Sequence, residues 1–314
     1  MERLFLHVGY PKTGTSSLQS ALFADHSQIC DLRTQFPGIQ KLRRAVCSDP
    51  MLDTRSIRRK VGSWVSSRPE HVGVYSEESF TNNYEIMGDD SITRKVIAKR
   101  LHDIFANSHV STEVVVVIRR QQDILISAFT FWYYTYQKMG YSDLNEMIRM
   151  STQKSKSKAH LVLSWFKYFE TINEYRKRFG YDNVHVLMYE SMDKEMKEFI
   201  RCISDILGIN AKQSINLMNN SPDRNVTKTT EGYRVPSKMY HWVSVLKSRY
   251  LPNARSFRNF AVGRWLIDWL RGDGSEVSLS QESCHRLQNL YGEDNRKIEE
   301  KFGVPLGENG YYVM

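Results

Sequence analysis

Residues 4–23 read LFLHVGYPKTGTSSLQSALF, and the rest of the chain can be interpreted from this stretch. Its first five residues are mostly apolar and have the length of a β-strand, which ends at Gly9. Pro11, Gly14 and a cluster of hydroxyl side chains follow, and apolar residues then recur at helical spacing. A loop between a strand and a helix directs backbone N–H groups and the positive end of the helix dipole at one point, which suits an anion.

The loop itself adds one full positive charge and several hydroxyl donors. The candidate anion-binding residues are Lys12, Thr13, Gly14, Thr15, Ser16 and Ser17. Gly9 and Gly14 have the G-x-x-x-x-G spacing of a P-loop, but Thr15 and Ser16 follow where a nucleoside-triphosphate loop has Lys-Ser or Lys-Thr. This half match predicts a phosphate or sulfate site, and a plain strand-to-helix turn is the alternative.

A second strand–helix junction lies at residues 113–134, EVVVVIRRQQDILISAFTFWYY. The uninterrupted β-branched run is typical of a strand buried on both faces in a parallel sheet. Arg119 and Arg120 stand at its end, and Ser127 follows Arg119 by eight residues, on the next predicted helix. An arginine and a serine in these positions can converge on one phosphate. A P-loop kinase usually ends such a strand with an acidic residue that holds magnesium, so the two arginines argue against metal-assisted phosphoryl transfer.

Residues 71–80, HVGVYSEESF, predict a further strand with polar residues at its end. Ligands bind beyond the carboxyl ends of strands in an open α/β sheet, so Ser76, Glu77 and Glu78 are candidates for a site. A helix N-terminus capped by Ser76 is compatible with the same residues. The pattern alone does not choose between Glu77 and Glu78, because a one-residue slip exchanges the faces of a strand.

Composition indicates a globular protein with anionic partners. The 314 residues suffice for one large α/β domain or two small ones, and 41% hydrophobic residues exclude a disordered chain. The net charge of +9 favours polyanions such as nucleotides, acidic glycans, nucleic acid or anionic membranes, with a purely solubilising charge as the alternative. Residues 25–44 are expected to be loop and irregular structure around the Pro37–Gly38 turn.

Cysteines and hydropathy predict a cytoplasmic location. The four cysteines are far apart and form no C-x-x-C pair, so neither zinc nor a redox pair is suggested. No apolar stretch reaches the length of a membrane span, and the first apolar run is too short for a signal peptide.

The strings PKTGTSSL and RRQQDILIS, in this order, resemble the two nucleotide-binding motifs of the sulfotransferase family. The first is similar to the loop that binds the 5′-phosphosulfate. The second is similar to the 3′-phosphate motif Arg-x-x-x-Asp-x-x-x-Ser, here Arg119, Asp123 and Ser127, although the family often has proline where this chain has Gln121. The resemblance covers most of the chain. It implies a single domain over residues 1–314, a three-layer α/β/α fold with a central parallel sheet, and the sulfuryl donor 3′-phosphoadenosine 5′-phosphosulfate (PAPS).

The resemblance also implies roles for individual residues. Lys12 would stabilise the leaving phosphate, and Glu78, in a Ser-x-Glu register with Ser76, would be the general base, with its neighbour Glu77 left open. No metal is required. None of the nine histidines stands where the small-molecule branch has its base, so the chain resembles the bacterial glycan-modifying branch, with a glycan or glycolipid as acceptor.

Two further segments have weaker signals. In the family a loop near residues 219–233 folds over the nucleotide, which makes Arg224, Thr227 and Lys228 candidates, with a solvated surface loop as the alternative. The basic and aromatic segment Lys247–Arg271 could touch a membrane surface, an acceptor, or only its own core. The competing functions are a kinase that uses Mg-ATP, a nucleic-acid-binding protein, and a non-catalytic nucleotide-binding member of the fold.

Overall fold

The computed structural model describes residues 3–49, 51–67, 72–81, 93–106, 110–153, 158–220, 228–229, 232–235 and 276–314. Five strands of this part form a parallel sheet in the order β2-β3-β1-β4-β5. Their bounds are β1 Arg3–His7, β2 Ile29–Asp31, β3 Val72–Ser76, β4 Ser111–Ile118 and β5 Val184–Met188. Parallel neighbours need crossover connections, which helices provide here.

The described helices follow in chain order. They are α1 Thr15–Ser17, α2 Leu32–Gln35, α3 Ile39–Ser48, α4 Thr54–Ser66, α5 Arg94–Leu101, α6 Gln121–Phe131, α7 Tyr133–Lys138, α8 Leu144–Gln153, α9 Lys158–Ser164, α10 Tyr168–Phe179, α11 Tyr189–Lys194, α12 Met196–Leu207, α13 Ala211–Asn219 and α14 Gln281–Phe302. α1 continues as a π-helical segment, Leu18–Phe23, and α5 as another, His102–Ala106. Short 3₁₀ turns cover Glu78–Phe80 and Gly307–Asn309. None of the described helices is long and apolar enough to cross a membrane.

Helices cover both faces of the sheet, because successive strand residues point to opposite sides. On one face, Phe5, Val74 and Val115 pack in one buried cluster with residues of the Leu18–Phe23 segment, α12 and α13. On the other face, the ring of Tyr75 packs against the ring of Phe105, and α10 contacts β4 and β5. The predicted three-layer α/β/α arrangement with a central parallel sheet is confirmed.

The contacts divide the chain into two compact units. The first comprises Met1–Gln121, Leu161–Arg224 and Gln288–Met314 and contains the five-stranded sheet. The second comprises Gln122–His160 and Asn225–Leu287. It contains most of α6, together with α7, α8 and the antiparallel pair β6 (Lys228–Thr229) and β7 (Gly232–Tyr233). The single domain over residues 1–314 stays a prediction.

The aromatic run that follows β4 serves mainly as core of the second unit. Phe129 and Tyr136 are buried and their rings stack with centroids 5.4 Å apart, whereas Phe131 is 55% exposed. Phe129 and Tyr136 thus belong to the core, whereas other aromatic side chains of this run are partly or largely exposed.

The expectation of irregular structure over residues 25–44 is wrong. This segment contains β2, α2 and the start of α3. β2 has only three residues, too few for an alternating pattern, and it exists because it pairs with β3. Asp31 then caps α2 by accepting a hydrogen bond from the Arg33 N–H at 2.9 Å.

Candidate active site

Three loops of the first unit meet at the carboxyl edge of the sheet. β1 occupies the centre, with β3 on one side and β4 on the other, so the strand order changes direction there. The crevice at such a switch point is the usual ligand site of an open α/β sheet. The loops that leave these three strands contain Lys12, Glu78 and Arg119 respectively.

The loop after β1 has an unusual backbone. Lys12 has a φ of 65°, and it is the one residue other than glycine with a positive φ in the described part of the chain. That conformation is costly for a residue with a side chain, and such strain concentrates at functional sites. Gly14 follows with a φ of 77°, which glycine adopts without this cost.

Short-range hydrogen bonds fasten this loop. The Thr13 hydroxyl donates to the Tyr10 carbonyl at 2.5 Å and lies 3.3 Å from the Thr15 hydroxyl. A Cβ on Gly9 would stand 2.7 Å from the Thr15 Oγ1, so this close approach requires glycine. The first N–H groups of a helix have no acceptor within the helix, and the start of α1 can therefore donate to an anion held by the loop.

Arg119 is brought against the same loop. Its Nη1 donates to the carbonyl of Lys12 at 2.8 Å, and its guanidinium lies 4.5 Å from the centroid of the Tyr189 ring. The Tyr168 hydroxyl donates to the Arg119 carbonyl at 2.5 Å. Two residues that were predicted as phosphate ligands from separate motifs, Lys12 and Arg119, thus lie side by side.

The next residue, Arg120, anchors this loop through its backbone. Its N–H donates to the Glu190 carboxylate at 2.9 Å, and the Tyr311 hydroxyl donates to the other oxygen of the same carboxylate at 2.7 Å. Glu190 is buried, and buried polar atoms need hydrogen-bond partners. Its two oxygens find them in Arg120 and Tyr311, which are distant from each other in the chain.

The carboxyl groups of Glu77 and Glu78 are used differently. Glu77 Oε1 accepts from the N–H and hydroxyl of Ser79 at 3.1 and 2.8 Å, and it lies 3.9 Å from Arg43 Nη1. Glu77 therefore caps the turn Glu78–Phe80. Glu78 instead lies close enough to Thr15 and Lys12, in the loop after β1, for both to lower the pKa of its carboxyl group.

The surroundings of Glu78 favour its protonated form. Burial, and next the negative charge of Glu77, raise the pKa of Glu78 to about 7, while the Thr15 hydrogen bond and the charges of Lys12 and Arg33 act in the opposite direction. A carboxyl group that titrates near neutral pH is suited to accept a proton there.

Several predicted residues are not brought to the site by the described contacts. Ser127 is buried on α6 within the second unit, and its convergence with Arg119 stays a prediction. Arg224, Thr227 and the segment Lys247–Arg271 lie outside the described residues. The backbone of Lys228 pairs with Tyr233 in the small sheet.

Two residues at the site were missed by the sequence analysis. Arg33 lies close enough to Glu78 to act on its pKa, and Tyr189 lies under Arg119. Arg33 could have been found from the capping pattern that Asp31 begins, had the short strand β2 been recognised.

No group of three or more His, Cys, Asp and Glu among the described residues could hold a metal ion.

A five-stranded parallel sheet with helices on both faces, whose three middle strands lead into the loops of Lys12, Glu78 and Arg119, defines an open α/β protein. The family model described as the sulfotransferase domain matches residues 3–265. The chain therefore belongs to the sulfotransferase family. No curated protein matches it.

Solved structures similar to this chain are distant from it. A sulfotransferase from Alicyclobacillus acidocaldarius is 14% identical, with a TM-score of 0.45 over 88% of this chain and 96% of that chain. The sulfotransferase domain of the curacin biosynthetic pathway is 13% identical, with a TM-score of 0.43 over 92% and 97%. A mouse sulfotransferase complexed with PAP is 17% identical, with a TM-score of 0.34 over 85% and 89%. The family assignment rests on the family model and not on these structures.

Proposed function

We propose that this protein transfers the sulfuryl group of PAPS to a hydroxyl group of a glycan or glycolipid. The observation that carries the proposal is the proximity of the Glu78 carboxyl to Thr15 and Lys12 of the loop after β1, both of which act to lower its pKa. It joins the anion loop, which would hold the donor phosphate, to a carboxyl group that would take the proton of the acceptor. Group transfer requires both functions within reach of one reacting centre.

The residues present fit a nucleotide with phosphates at two positions. The loop of residues 12–17 offers Lys12, backbone N–H groups and hydroxyls for the 5′ end. Arg119, which contacts the carbonyl of Lys12, offers a guanidinium for the 3′-phosphate, with Ser127 as a second donor. Arg224, Thr227 and Lys228 belong to the proposal as residues that cover the nucleotide. When bound, PAPS would supply the sulfuryl group and its leaving phosphate.

The protein's own groups account for the transfer. The carboxylate of Glu78, beside the loop after β1, takes the proton from the acceptor hydroxyl as that oxygen bonds to sulfur. Lys12 stabilises the negative charge that grows on the phosphate oxygen while the old sulfur–oxygen bond breaks. The lysine and the arginine provide the positive charge that the reaction needs, so the proposal assigns no role to a metal.

The proposed acceptor follows from the base and the charge. A carboxylate stands where the small-molecule branch has histidine, and the net charge of +9 favours an acidic or lipid-linked saccharide. His7, the last residue of β1 before the loop, is buried, and burial lowers its pKa to about 4, which leaves it a poor base at neutral pH. The bacterial glycan-modifying branch and a cytoplasmic location are parts of the same proposal.

The first test is calorimetric binding of adenosine 3′,5′-bisphosphate without magnesium, beside ATP and 5′-AMP. Tight binding of the bisphosphate alone supports the nucleotide assignment, whereas binding of ATP only with magnesium supports the kinase alternative. Transfer of labelled sulfate from PAPS to a panel of polysaccharides and glycolipids then tests catalysis. A protein that binds the bisphosphate and transfers nothing to any acceptor would be a non-catalytic member of the fold.

A further inference from the structure

We propose that α10 positions the three active-site loops together, because Tyr168, Thr171 and Tyr175 on its buried face each form a hydrogen bond with a different loop. The inference rests on the proposed sulfuryl transfer, which assigns a role to each loop. The three residues are three and four positions apart, so they lie on one face of the helix. All three are at most 1% exposed, and they belong to the same compact unit as the loops.

The two tyrosines of this face bond to backbone carbonyls. The Tyr168 hydroxyl donates to the carbonyl of Arg119, in the loop after β4, at 2.5 Å. The Tyr175 hydroxyl donates to the carbonyl of Phe80 at 3.0 Å, and Phe80 ends the 3₁₀ turn that Glu78 begins. A carbonyl oxygen can only accept, so the direction of both hydrogen bonds is fixed. One bond thus holds the residue proposed to meet the 3′-phosphate, and the other holds the turn of the proposed base.

Thr171, between the two tyrosines, contacts the loop after β1. Its Oγ1 accepts from the Tyr10 hydroxyl at 2.8 Å and from Arg94 Nη1 at 3.3 Å. Tyr10 lies in that loop, and its carbonyl accepts from the Thr13 hydroxyl at 2.5 Å. The ring of Tyr10 also packs against the ring of Tyr168, with the centroids 4.7 Å apart. The loops after β1 and β4 therefore meet on the first turn of α10.

The hydroxyl groups of these tyrosines, and not only their rings, account for the arrangement. Phenylalanine would fill nearly the same space, whereas a buried hydroxyl needs a hydrogen-bond partner. Burial raises the pKa of Tyr168 and of Tyr175 well above its usual range, and it raises the pKa of Tyr10 to about 12. All three hydroxyls therefore keep the hydrogen that they donate.

A single helix is a suitable frame for loops that must keep fixed distances from one another. Tyr175 follows Tyr168 by seven positions, which corresponds to about 10 Å along the helix axis. α10 also packs on β4 and β5, so the sheet supports it directly. Group transfer requires the donor and the base to be held in one geometry. Removal of one partner on α10 should consequently disturb one loop and leave the other two in place.

The test is amide hydrogen exchange, followed by NMR in the protein without nucleotide or acceptor. Tyr168→Phe should speed exchange of the Arg120 N–H by about threefold to tenfold, because the hydrogen bond to the preceding carbonyl is lost. Tyr175→Phe should do the same to the Thr81 N–H, which donates to the Glu78 carbonyl. Each variant deletes one buried hydroxyl from the same helix, so each is the control for the other.

Two further measurements separate positioning from a general loss of stability. Tyr168→Phe should weaken binding of adenosine 3′,5′-bisphosphate several-fold relative to adenosine 5′-phosphosulfate, which lacks the 3′-phosphate. Tyr175→Phe should leave that ratio unchanged. It should instead lower the pKa of Glu78 by about half a unit or more, because a loosened turn admits water and burial is the main cause of the raised pKa. This pKa is measured by NMR with ¹³C-labelled glutamate, assigned by Glu78→Gln.

Thr171→Val removes the acceptor of the Tyr10 hydroxyl. It should speed exchange of the Leu18 N–H by a smaller factor, about twofold, because the hydrogen bonds within the loop after β1 remain. Exchange that rises equally in all three loops in every variant, or in none of them, would overturn the proposal. A wild-type protein that binds no bisphosphate would instead overturn the proposed function, while the exchange pattern would still decide whether α10 holds the loops.

Discussion

The loop after β1 and the loop after β4 are both proposed to bind phosphate, but they are held in place in different ways. Most hydrogen bonds of the β1 loop join groups within a few residues: Thr13 bonds to Tyr10, and the N–H groups of Ser17 and Leu18 donate to Gly14. Two distant donors add to them, the Thr81 hydroxyl on the Gly9 carbonyl at 3.3 Å and Arg119 on the Lys12 carbonyl. The β4 loop is held by groups that are distant in sequence. Its partners are Lys12, Tyr168, Glu190 and, through Glu190, Tyr311.

Because of this difference, the two loops should respond differently to substitutions elsewhere in the chain. A loop that is held locally keeps its shape when the rest of the chain changes, provided that its own residues remain. A loop that is held by distant groups can be loosened from any of them. We therefore expect recognition of the 5′ end to be lost mainly through the β1 loop itself, and recognition of the 3′-phosphate to be lost also through substitutions far from it.

The largest effect should come from the locally held loop. Lys12→Ala removes the charge that meets the leaving phosphate, and loss of one such group costs catalysis on the order of 10³-fold. Binding of adenosine 3′,5′-bisphosphate should persist, because backbone N–H groups and hydroxyls of the loop remain. Labelled-sulfate transfer and calorimetry measure the two quantities, and turnover near the wild-type rate would remove Lys12 from the mechanism.

The next largest loss of activity should come from Glu78, in the loop after β3, and the neighbouring Glu77 provides a matched control. Glu78→Gln should reduce kcat/KM by about a hundredfold or more, because the base is lost. Glu77→Gln leaves a group that can still accept from Ser79, so activity should remain. The reverse outcome would transfer the role of base to Glu77.

The pH dependence of kcat/KM should further distinguish the role of Glu78 from that of Glu77. The pKa of Glu78 is raised to about 7 in the folded protein, so wild-type kcat/KM should rise with pH through about 7 as the carboxylate forms. Glu77→Gln removes the neighbouring negative charge and should shift this limb to lower pH, while Glu78→Gln should abolish it. The limb is measured with PAPS at low concentration, since kcat/KM reports the free enzyme.

The same raised pKa has a consequence for stability. The folded protein binds this proton more tightly than the unfolded chain does, so ionised Glu78 destabilises the fold as pH rises through about 7. Glu78→Gln should consequently raise Tm at pH 8. The gain should vanish below the pH range in which the unfolded carboxyl titrates, and a gain that is equal at pH 4 and pH 8 would contradict the assigned burial.

The contrast between local and distant contacts also explains what the sequence could predict. The β1 loop and the β4 strand were predictable because their signals are contiguous: a glycine-hydroxyl loop in one case and a β-branched run in the other. The fold class followed from them. β2 was missed because three residues carry no period, and pairing with β3 alone makes them a strand.

The same limit applies inside the site. Arg33 was missed because its contact with Gln19 depends on β2 and α2, which the sequence analysis did not predict. Glu190 and Tyr311 are 121 residues apart, and no local pattern indicates that they share a hydrogen bond. The separation of Glu77 from Glu78 needed the side-chain contacts of Ser79 and Thr15.

The first direct test of the distantly held loop is Arg119 itself. Arg119→Ala should weaken binding of adenosine 3′,5′-bisphosphate by about 10- to 100-fold, since a charge-assisted hydrogen bond contributes roughly 1.5–3 kcal/mol. Adenosine 5′-phosphosulfate, which lacks the 3′-phosphate, should bind about as before. Arg201→Ala is the control, because it removes the same charge from a half-exposed position on α12. Arg120 is unsuitable for this purpose, since its Nε lies 3.6 Å from the buried Glu190 carboxylate. Equal losses in the two variants would indicate a general charge effect.

The smallest expected effect tests whether the hydrogen bonds from distant residues hold the β4 loop in place or merely lie near it. Tyr311→Phe deletes one hydroxyl, far in sequence from the β4 loop, and leaves Glu190 with one fewer donor. A hydrogen bond to a carboxylate contributes about 1.5–3 kcal/mol, and only part of this free energy reaches the β4 loop through Glu190. The bisphosphate should therefore bind a few-fold more weakly, while adenosine 5′-phosphosulfate is unaffected. Tyr291→Phe deletes another buried hydroxyl, which donates to the carbonyl of Leu163 instead of to Glu190. It should lower Tm by a similar amount and leave both affinities unchanged. If both variants weaken binding of the bisphosphate equally, the β4 loop responds to overall stability, and the hydrogen bonds through Glu190 are not what holds it.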